Sequence, residues 1–281
     1  MIEFDGVTKR YGGTVAIDDL RLRISENGIY CLLGRNGAGK TTLMKLLAGH
    51  IAAASGKITA FGQRVSPGHM PESVNYLDRG SAQFNMRVSQ LIDTAAELQE
   101  SFDRGFAREM ADRFGLDPQK KYKQLSFGMK TMLTTIILLA NNSSVILLDE
   151  PTLGFDAVTR DQLNTLLLES YHAHPRVIVV STQLIDEIAK AAERLIIIKG
   201  GRILLTADIG EIDEKAYTLS GPAKLVLPLL DGLNCVGKTA AGSVMAAHIY
   251  DGRITPPEGV ALSRLSLQDF FINIVGGTGN E

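Results

Sequence analysis

The sequence predicts an α/β fold in which helices cover both faces of a parallel sheet, and three observations carry this prediction. Five short runs are apolar throughout, as strands buried on both faces of a parallel sheet are. Helical patterns alternate with these runs, and a glycine-rich turn joins the first run to a helix. The runs are GIYCLL (28–33), VNYL (74–77), SVILLD (144–149), RVIVVS (176–181) and RLIIIK (194–199).

Two regions depart from this alternation. Residues 81 to about 140 carry helical patterns and no strand pattern, which predicts a helical insertion between two sheet strands. After about residue 207 the alternation weakens, with strand-like SVMAAHIYD (243–251), a turn at PPEG (256–259) and amphipathic SLQDFFINIV (266–275). We therefore expect a main domain over residues 1–207 and a small α+β appendage over residues 208–281.

Composition excludes several classes of protein. Hydrophobic residues make up 45 % of the chain, which is too many for a disordered protein. The formal net charge of −2 argues against a general nucleic-acid binder, which normally carries a basic excess. Two cysteines, Cys31 and Cys235, cannot build a disulfide framework, and we interpret Cys31 in its apolar run as a core residue.

The sequence also predicts where in the cell the chain is found. The N-terminus MIEFDGVTKR has no apolar segment of the kind that secretory signals contain. The run MLTTIILLA (132–140) is far shorter than the roughly 20 residues that cross a bilayer. We therefore expect a cytoplasmic chain whose contact with a membrane comes only through a partner.

The segment GRNGAGKT, Gly34–Thr41, satisfies the phosphate-binding pattern G-x-x-x-x-G-K-[ST] between an apolar strand and a helix. Glycines let backbone N–H groups point at phosphate oxygens, and the helix N-terminus adds its positive dipole. Lys40 is expected to reach the β- and γ-phosphates, and the hydroxyl of Thr41 to reach Mg²⁺. The predicted ATP-binding residues of this loop are Gly34, Arg35, Asn36, Gly37, Ala38, Gly39, Lys40, Thr41 and Thr42.

The same pattern occurs a second time in GLNCVGKT, Gly232–Thr239. The residues after it, TAAGSVMAAHIYD, predict a loop and a strand where a phosphate site needs a helix. About 40 residues remain beyond it, too few for the rest of a nucleotide site. We interpret this second match as chance.

Two carboxylates, Asp149 and Glu150, end the apolar run SVILLDEP. A carboxylate at the tip of a buried strand beside a phosphate loop can hold Mg²⁺, usually through water. Glu150 is then placed to polarise a water for attack on the γ-phosphate. The alternative is that both acids cap the turn that Pro151 marks.

Together these motifs resemble the nucleotide-binding subunit of ABC transporters, over residues 1 to about 207. The segment LSFGM is similar to the family signature LSGGQ and, in its LSxGM form, to ATPases of ABC-2-type exporters; it begins 24 residues before Asp149. The resemblance implies a P-loop NTPase of the ABC ATPase type, with an N-terminal β-subdomain and an inserted helical subdomain. It also implies that the signature contacts an ATP held by a second subunit, through Leu125, Ser126, Phe127, Gly128 and Met129.

The resemblance assigns three further positions. Tyr11 matches an aromatic residue that stacks on adenine, and Asp156 in TLGFD matches a loop that crosses the dimer interface. Gln183 stands where the family has a switch histidine that contacts the γ-phosphate. Glutamine exchanges hydrogen bonds but cannot become cationic, so we expect it to sense the phosphate while turnover slows.

A second departure lies in VNYLDR, where Arg79 stands at the family's Q-loop glutamine. Gln83, four residues on, is the alternative for this role. Both departures could also be neutral drift.

The resemblance implies an ATPase subunit that uses ATP and Mg²⁺ at the inner face of the cell membrane and powers a separate transmembrane permease, and its motif style predicts export. It would pair head to tail with a copy of itself or with a paralogue. A catalytically weak nucleotide switch, forming one half of an asymmetric pair, is the alternative. A soluble ABC ATPase acting on ribosomes or DNA is disfavoured, because this chain has one such domain and no heptads. The sequence does not identify the transported substrate.

Overall fold

The computed structural model describes residues 1–71, 73–76, 84–183, 185, 188–252 and 254–276. These residues form two compact units. Residues 1–183 and 188–205 supply the first unit, and the residues from 206 onwards supply most of the second.

In chain order, the strands of the first unit are β1 Ile2–Tyr11, β2 Thr14–Ile24, β3 Gly28–Leu33, β4 Ser55–Ala60, β5 Gln63–Arg64, β6 Val74–Tyr76, β7 Val145–Asp149, β8 Val177–Thr182, β9 Arg194–Lys199 and β10 Arg202–Asp208. The last three residues of β10, 206–208, belong to the second unit. The helices of the first unit are α1 Lys40–Leu47, α2 Val88–Leu98, α3 Arg104–Arg113, α4 Phe127–Ala140 and α5 Ala157–Ala173. A single 3-10 turn, Tyr122–Gln124, precedes α4.

The core of the first unit is a six-stranded sheet in the order β10-β9-β3-β8-β7-β6. Its central neighbours, from β9 to β6, are paired in parallel. The five apolar runs form these parallel strands within a residue of the predicted bounds, except that residue 77 lies outside the described ranges. Every residue of β3 and β8 is buried, which is why the two runs carry no polar alternation. The predicted α/β class is confirmed.

Strand register brings three strand ends to one edge of this sheet. Leu33, the last residue of β3, pairs with Thr182 of β8. Asp149, the last residue of β7, pairs with Ser181 of β8. Ligands of open parallel sheets bind beyond the carboxyl ends of the strands, so this edge is the expected place for a site.

A second sheet of the first unit is antiparallel, in the order β2-β1-β4-β5. Its strands show partial alternation: Ile2, Phe4 and Val7 of β1 are buried while Glu3 and Asp5 are exposed. This alternation is typical of a sheet with one face against a core. The sheet occupies the N-terminal region where the family resemblance implies a β-subdomain.

Helices α2, α3 and α4 follow β6 and precede β7 in the chain, and they pack on one another. Residues 84–144 contain these helices and the 3-10 turn, with no extended strand among them. They occupy the region for which the sequence predicts a helical insertion.

The second unit is built on an antiparallel sheet in the order β12-β13-β11-β14. Its strands are β11 Ala216–Pro222, β12 Cys235–Ala241, β13 Val244–Tyr250 and β14 Ala261–Arg264; its helices are α6 Ile209–Lys215, α7 Ala223–Val226 and α8 Leu267–Gly276. Its core is a small apolar cluster formed by Tyr217, Leu219, Val226, Ala247, Ile249 and Val260. Within the described ranges, none of the helices combines the length and apolar character needed to span a bilayer.

Candidate nucleotide site

The loop between β3 and α1 forms a tight backbone cradle. Gly39 has φ +112°, and a Cβ on it would lie 2.8 Å from the carbonyl oxygen of Ala16. A Cβ on Gly34 would lie 2.7 Å from the carbonyl oxygen of Ile198. Both positions therefore require glycine, and α1 begins at Lys40 directly after the turn, with its first N–H groups at the loop.

The other loop residues differ in exposure. Arg35, Asn36 and Gly37 are exposed, Ala38 is buried, and Thr42 is half-buried on α1. Gly37 has φ +78° and no atom within 4 Å of the position a Cβ would take. The exposed part of the loop is thus open to a ligand, while its ends are packed against the protein.

Lys40 is a buried cation. Its Nζ donates to the carbonyl oxygen of Gly34 at 2.7 Å and lies 3.8 Å from Oε1 of Glu150. Burial lowers the pKa of Lys40 below its ordinary value, and the carboxylates of Glu150 and Asp149 act in the opposite direction. An ammonium held at a helix N-terminus is suited to receive phosphate oxygens.

Asp149 connects the phosphate loop to the neighbouring strand. Its Oδ2 accepts a hydrogen bond from Oγ1 of Thr41 at 2.8 Å, and its Oδ1 accepts one from Oγ of Ser181. A hydroxyl and a carboxylate are hard oxygen ligands of the kind that Mg²⁺ prefers, so this pair fits that ion. The described residues contain no cluster of three or more His, Cys, Asp and Glu that could hold a metal ion.

Glu150 is held in an unusual backbone conformation beyond β7. Its φ is +46°, a region that non-glycine residues adopt at a cost of about 1–3 kcal/mol. Its N–H donates to Ser181, at 2.9 Å to the carbonyl oxygen and 3.1 Å to Oγ. These bonds fix the turn, and the side chain stays a quarter exposed beside Lys40.

Ser181 was missed by the sequence reasoning. It is fully buried, and its hydroxyl contacts both Asp149 and the amide of Glu150. The signal that could have found it is a polar residue at the end of an otherwise apolar strand run.

Gln183 follows the last residue of β8 and is exposed. Because β8 lies between β3 and β7, Gln183 comes one residue after the strand end that pairs with Leu33. The structure therefore places it at the same sheet edge as Gly34 and Glu150.

The segment LSFGM spans the start of α4. Leu125 is buried, Ser126 is the N-cap, and its Oγ accepts a hydrogen bond from the amide of Met129 at 3.2 Å. Phe127, which stands where the family signature has glycine, is 55 % exposed.

The signature is in contact with the turn that follows Glu150. A Cβ on Gly154 would lie 2.7 Å from Cδ1 of Phe127, and a Cβ on Gly128 would lie 3.0 Å from the carbonyl oxygen of Gly154. The amide of Leu153 donates to the carbonyl oxygen of Glu150 at 3.2 Å. A short path of contacts therefore joins Glu150 to the start of α4, and no sequence pattern indicated it.

Asp156 is the N-cap of α5, and its Oδ1 accepts a hydrogen bond from the amide of Thr159 at 2.8 Å. That bond holds the pKa of Asp156 below its ordinary value. Asp156 thus follows the same turn that contacts the signature.

Tyr11 ends β1 and is half exposed, with Nζ of Lys9 5.1 Å from its ring centroid. It pairs with Thr14 of β2, and the carbonyl oxygen of Ala16 on that strand lies beside Gly39. Strand β2 therefore connects the end of β1 with the phosphate loop. Arg79 and Gln83, the two Q-loop candidates, lie outside the described residues.

The second pattern match, Gly232–Thr239, has no phosphate cradle. Lys238 and Thr239 are exposed within strand β12, and the turn Gly242–Ser243 leads from that strand into β13. The interpretation as chance is confirmed, although residues 239–241 form strand where a loop was expected.

Comparison with known proteins agrees with this geometry. A family model described as ABC transporter matches residues 17–153. The ABC transporter ATP-binding protein YtrB of Bacillus subtilis (strain 168) is 30 % identical over 217 residues, covering 76 % of this chain and 74 % of YtrB. The chain belongs to the ABC transporter ATP-binding proteins.

Two further proteins are similar to this ABC transporter subunit, one along nearly its whole length and the other along about three quarters of it. The bacitracin transport ATP-binding protein BcrA of Enterococcus faecalis is 23 % identical over 308 residues, covering 99 % of this chain and 97 % of BcrA. A dimeric post-hydrolysis structure of the ATP-binding cassette MJ0796, bound to ADP and Pi, has a TM-score of 0.64 and 20 % identity, and the match covers 74 % of this chain and 99 % of the cassette. The expected fold and family are therefore confirmed, and this ABC transporter subunit is an ATPase.

Proposed function

We propose that the chain hydrolyses ATP with Mg²⁺ as one half of a head-to-tail pair of ATPase subunits, and that the pair drives a separate transmembrane subunit. The observation that carries this proposal is the convergence of Lys40, Thr41, Asp149 and Glu150 beyond the carboxyl ends of β3 and β7. Family membership supports the pairing and the transmembrane partner. On this proposal the subunit works at the inner face of the cell membrane.

Each side chain at the sheet edge has one task in this proposal. Lys40 and the loop amides bind the β- and γ-phosphates, so that the terminal phosphorus lies in front of Glu150. Thr41 and Asp149 would hold Mg²⁺, which would supply positive charge beside the phosphate oxygens. Ser181 positions Asp149 and the turn at Glu150 by its two hydrogen bonds.

Glu150 is proposed as the base that orients and polarises the attacking water. Its carboxylate lies 3.8 Å from Nζ of Lys40, and a phosphate that draws this ammonium away frees the carboxylate for water. Tyr11 is proposed to stack on the adenine ring beside the loop.

The signature is proposed to serve the second subunit. Ser126 and the amides at the start of α4 form an anion site for the γ-phosphate bound by the partner. Asp156 would lie at the interface between the two subunits. Whether the partner is a copy or a paralogue is open in this proposal.

Gln183 favours a second candidate function, a catalytically weak switch subunit. It stands at the sheet edge where a hydrogen-bonding side chain can touch the γ-phosphate, but it cannot carry a positive charge there. A chain of this kind binds ATP and closes, and a partner subunit supplies most of the turnover.

The direction of transport is proposed to be export. The LSxGM form of the signature supports this, as does the bacitracin transport protein that matches along nearly the whole chain, including its C-terminal appendage. The permease would select the substrate.

Mg²⁺-dependent ATP turnover of the purified chain tests the proposal, with and without its co-expressed transmembrane subunit. Glu150→Gln is expected to lower turnover by about a hundredfold while ATP still binds. Glu214→Gln, which neutralises an exposed carboxylate on α6, is the control and leaves turnover unchanged. Turnover that survives Glu150→Gln would exclude this residue as the base.

Gln183→His separates the two candidate functions. If the chain is a weak switch, the added imidazole raises turnover by about tenfold, because it can offset charge on the phosphate. Gln63→His, on the exposed edge strand β5, is the matched control. No gain from Gln183→His, together with full turnover in the unmodified chain, would make glutamine a working substitute and exclude the weak-switch function.

A further inference from the structure

Arg176, the residue before β8, places a guanidinium inside the first unit. Its side chain is only 3 % exposed. The sheet fixes its backbone, because its carbonyl oxygen accepts from the amide of Gly28 at 3.1 Å and the next amide, that of Val177, donates to the carbonyl oxygen of Ser144 at 3.0 Å. The guanidinium therefore starts from a fixed point where the parallel strands begin, at the edge of the sheet opposite the nucleotide site.

The guanidinium is bonded to three separate segments of the chain. Its Nη2 donates to the carbonyl oxygen of Leu139 at 2.8 Å and to Oγ of Ser170, and its Nη1 donates to Oδ1 of Asn142 at 3.1 Å. Leu139 lies in the last turn of α4, Ser170 in the last turn of α5, and Asn142 between α4 and β7. One side chain thus joins the ends of two helices to the start of β8.

The charge of Arg176 has no carboxylate partner among the residues that the structure describes. Its three acceptors are neutral, and its buried Nε has no hydrogen-bond partner there. Burial lowers the pKa of Arg176 to about 10, so the side chain is still a cation at neutral pH. The negative ends of two helix dipoles offset part of the cost of burying it. An apolar side chain would fill this space without that cost, so the arginine points to a role beyond packing.

The elements that Arg176 joins carry, at their other ends, residues that the proposed function uses. Helix α4 reaches from Leu139 back to its N-cap Ser126, and α5 from Ser170 back to its N-cap Asp156, over about 20 Å in each case. Strand β8, with Gln183 after it, also spans about 20 Å. Packed helices and strands are stiff over such lengths, so a shift along the axis at one end appears at the other.

We propose that Arg176 is a positioning residue for ATP hydrolysis: it ties α4, α5 and β8 together at their far ends and so fixes the relative positions of Ser126, Asp156 and Gln183. This inference deepens the proposed function, in which those three residues contact the γ-phosphate or the second subunit. Without the guanidinium each helix can shift along its axis, while the phosphate loop still binds ATP. A misplacement of about 1 Å around a bound substrate can lower its rate of reaction about a hundredfold.

The test compares three variants of the full chain, co-expressed with its transmembrane subunit. Arg176→Met keeps most of the length of the side chain and removes its donors. Arg176→Lys keeps the positive charge, but one ammonium cannot reach all three acceptors as the planar guanidinium does. Ile24→Ala, a core substitution at the end of β2 away from Thr14, is the control for lost stability alone. Urea unfolding gives the midpoint of each chain, and kinetics are measured where all of them are folded.

Arg176→Met is expected to lower kcat about tenfold while KM and the affinity for a fluorescent ATP analogue change less than about twofold. The affinity is preserved because Lys40 and Thr41 lie on the loop after β3, which the guanidinium does not contact. Arg176→Lys should lower kcat about fivefold. Ile24→Ala should lower the urea midpoint at least as much as Arg176→Met and keep kcat within about twofold.

Other outcomes overturn the inference and leave the proposed function in place. These are unchanged kcat in folded Arg176→Met, full kcat in Arg176→Lys, or an equal fall of kcat in Ile24→Ala, which would make the effect one of stability. If Arg176→Met does not fold, Ser170→Ala carries the test, because it releases α5 alone. Its kcat should fall about threefold at constant KM, and full kcat would overturn the inference. Absence of turnover in the unmodified chain would overturn the proposed function, and this inference with it.

Discussion

Two segments of this chain satisfy the same eight-residue pattern, and they fold in opposite ways. Gly34–Thr41 joins a buried strand to helix α1, while Gly232–Thr239 runs into the exposed strand β12. In the first segment Lys40 is buried beside Glu150; in the second, Lys238 is exposed on a sheet. The pattern forms a phosphate site only where its lysine and glycines lie beside a helix N-terminus and a strand that ends in carboxylates.

The largest difference is expected from the two lysines. Lys40→Ala should weaken ATP binding by about a hundredfold, because it removes a buried ammonium from the phosphate site. Lys238→Ala should leave ATP binding unchanged. Equilibrium binding of a fluorescent ATP analogue measures both, and a loss of affinity in the second variant would show that β12 contributes to the nucleotide site.

The two glycines before these lysines offer a sharper comparison. Gly39→Ala places a Cβ against the carbonyl oxygen of Ala16 at φ +112°, so it should cost about 2–4 kcal/mol of unfolding free energy and abolish ATP binding. On Gly237 a Cβ would lie 1.9 Å from Oδ1 and 2.8 Å from Cβ of Asn273, and rotation of the Asn273 side chain leaves its Cβ in place, so α8 must shift.

Gly237→Ala should therefore also cost about 1–3 kcal/mol of unfolding free energy, but it should leave ATP binding by the folded chain intact. Urea unfolding, monitored with and without ATP, checks both glycine variants. ATP binding that survived Gly39→Ala, or that was lost in folded Gly237→Ala, would contradict this comparison.

Substitution of the threonine that ends each pattern, Thr41 or Thr239, should affect the Mg²⁺ requirement for ATP turnover differently. Thr41→Ala removes the hydroxyl bonded to Asp149 and should raise the Mg²⁺ concentration needed for half-maximal turnover by about tenfold. Thr239→Ala, on the exposed strand, should leave the Mg²⁺ titration unchanged. A normal titration for Thr41→Ala would remove this hydroxyl from the proposed Mg²⁺ site.

The smallest effect is expected from the two cysteines, of which Cys31 precedes the first pattern match and Cys235 lies within the second. Burial raises the pKa of Cys31 to about 12, so almost no thiolate forms there at neutral pH. Cys235 is only half-buried at the start of β12. Iodoacetamide should label Cys235 in the folded chain and Cys31 only after unfolding, as peptide mass spectrometry would show; labelling of folded Cys31 would contradict its burial.

The parallel sheet was predictable because its strands are buried on both faces. GIYCLL is apolar throughout and RVIVVS is polar only at its two ends, Arg176 and Ser181, and these runs lie where β3 and β8 form. Strand β12 was harder, since CVGKTAA has an exposed and partly polar edge whose hydrogen bonding depends on β13.

At the site, Lys40, Thr41, Asp149 and Glu150 were predictable from local motifs, and the structure brings them together. Contacts between distant segments were not predictable. The contact of Phe127 with Gly154 and the bonds of Ser181 depend on tertiary packing that no local pattern encodes. The roles assigned to Tyr11, Asp156 and Gln183 came from family resemblance and remain predictions.

The register of β8 has a consequence for how this ATPase can change over evolutionary time. Thr182 and Ser181 are fixed by pairing with two neighbouring strands, so the backbone delivers residue 183 to the same place whatever its side chain is. A substitution of residue 183 therefore changes the chemistry of the site without changing the backbone of the phosphate loop. A single further substitution can reverse the change. Inserting a single residue within β8 would instead displace residue 183 and the hydrogen bonds of Ser181 to Glu150 together.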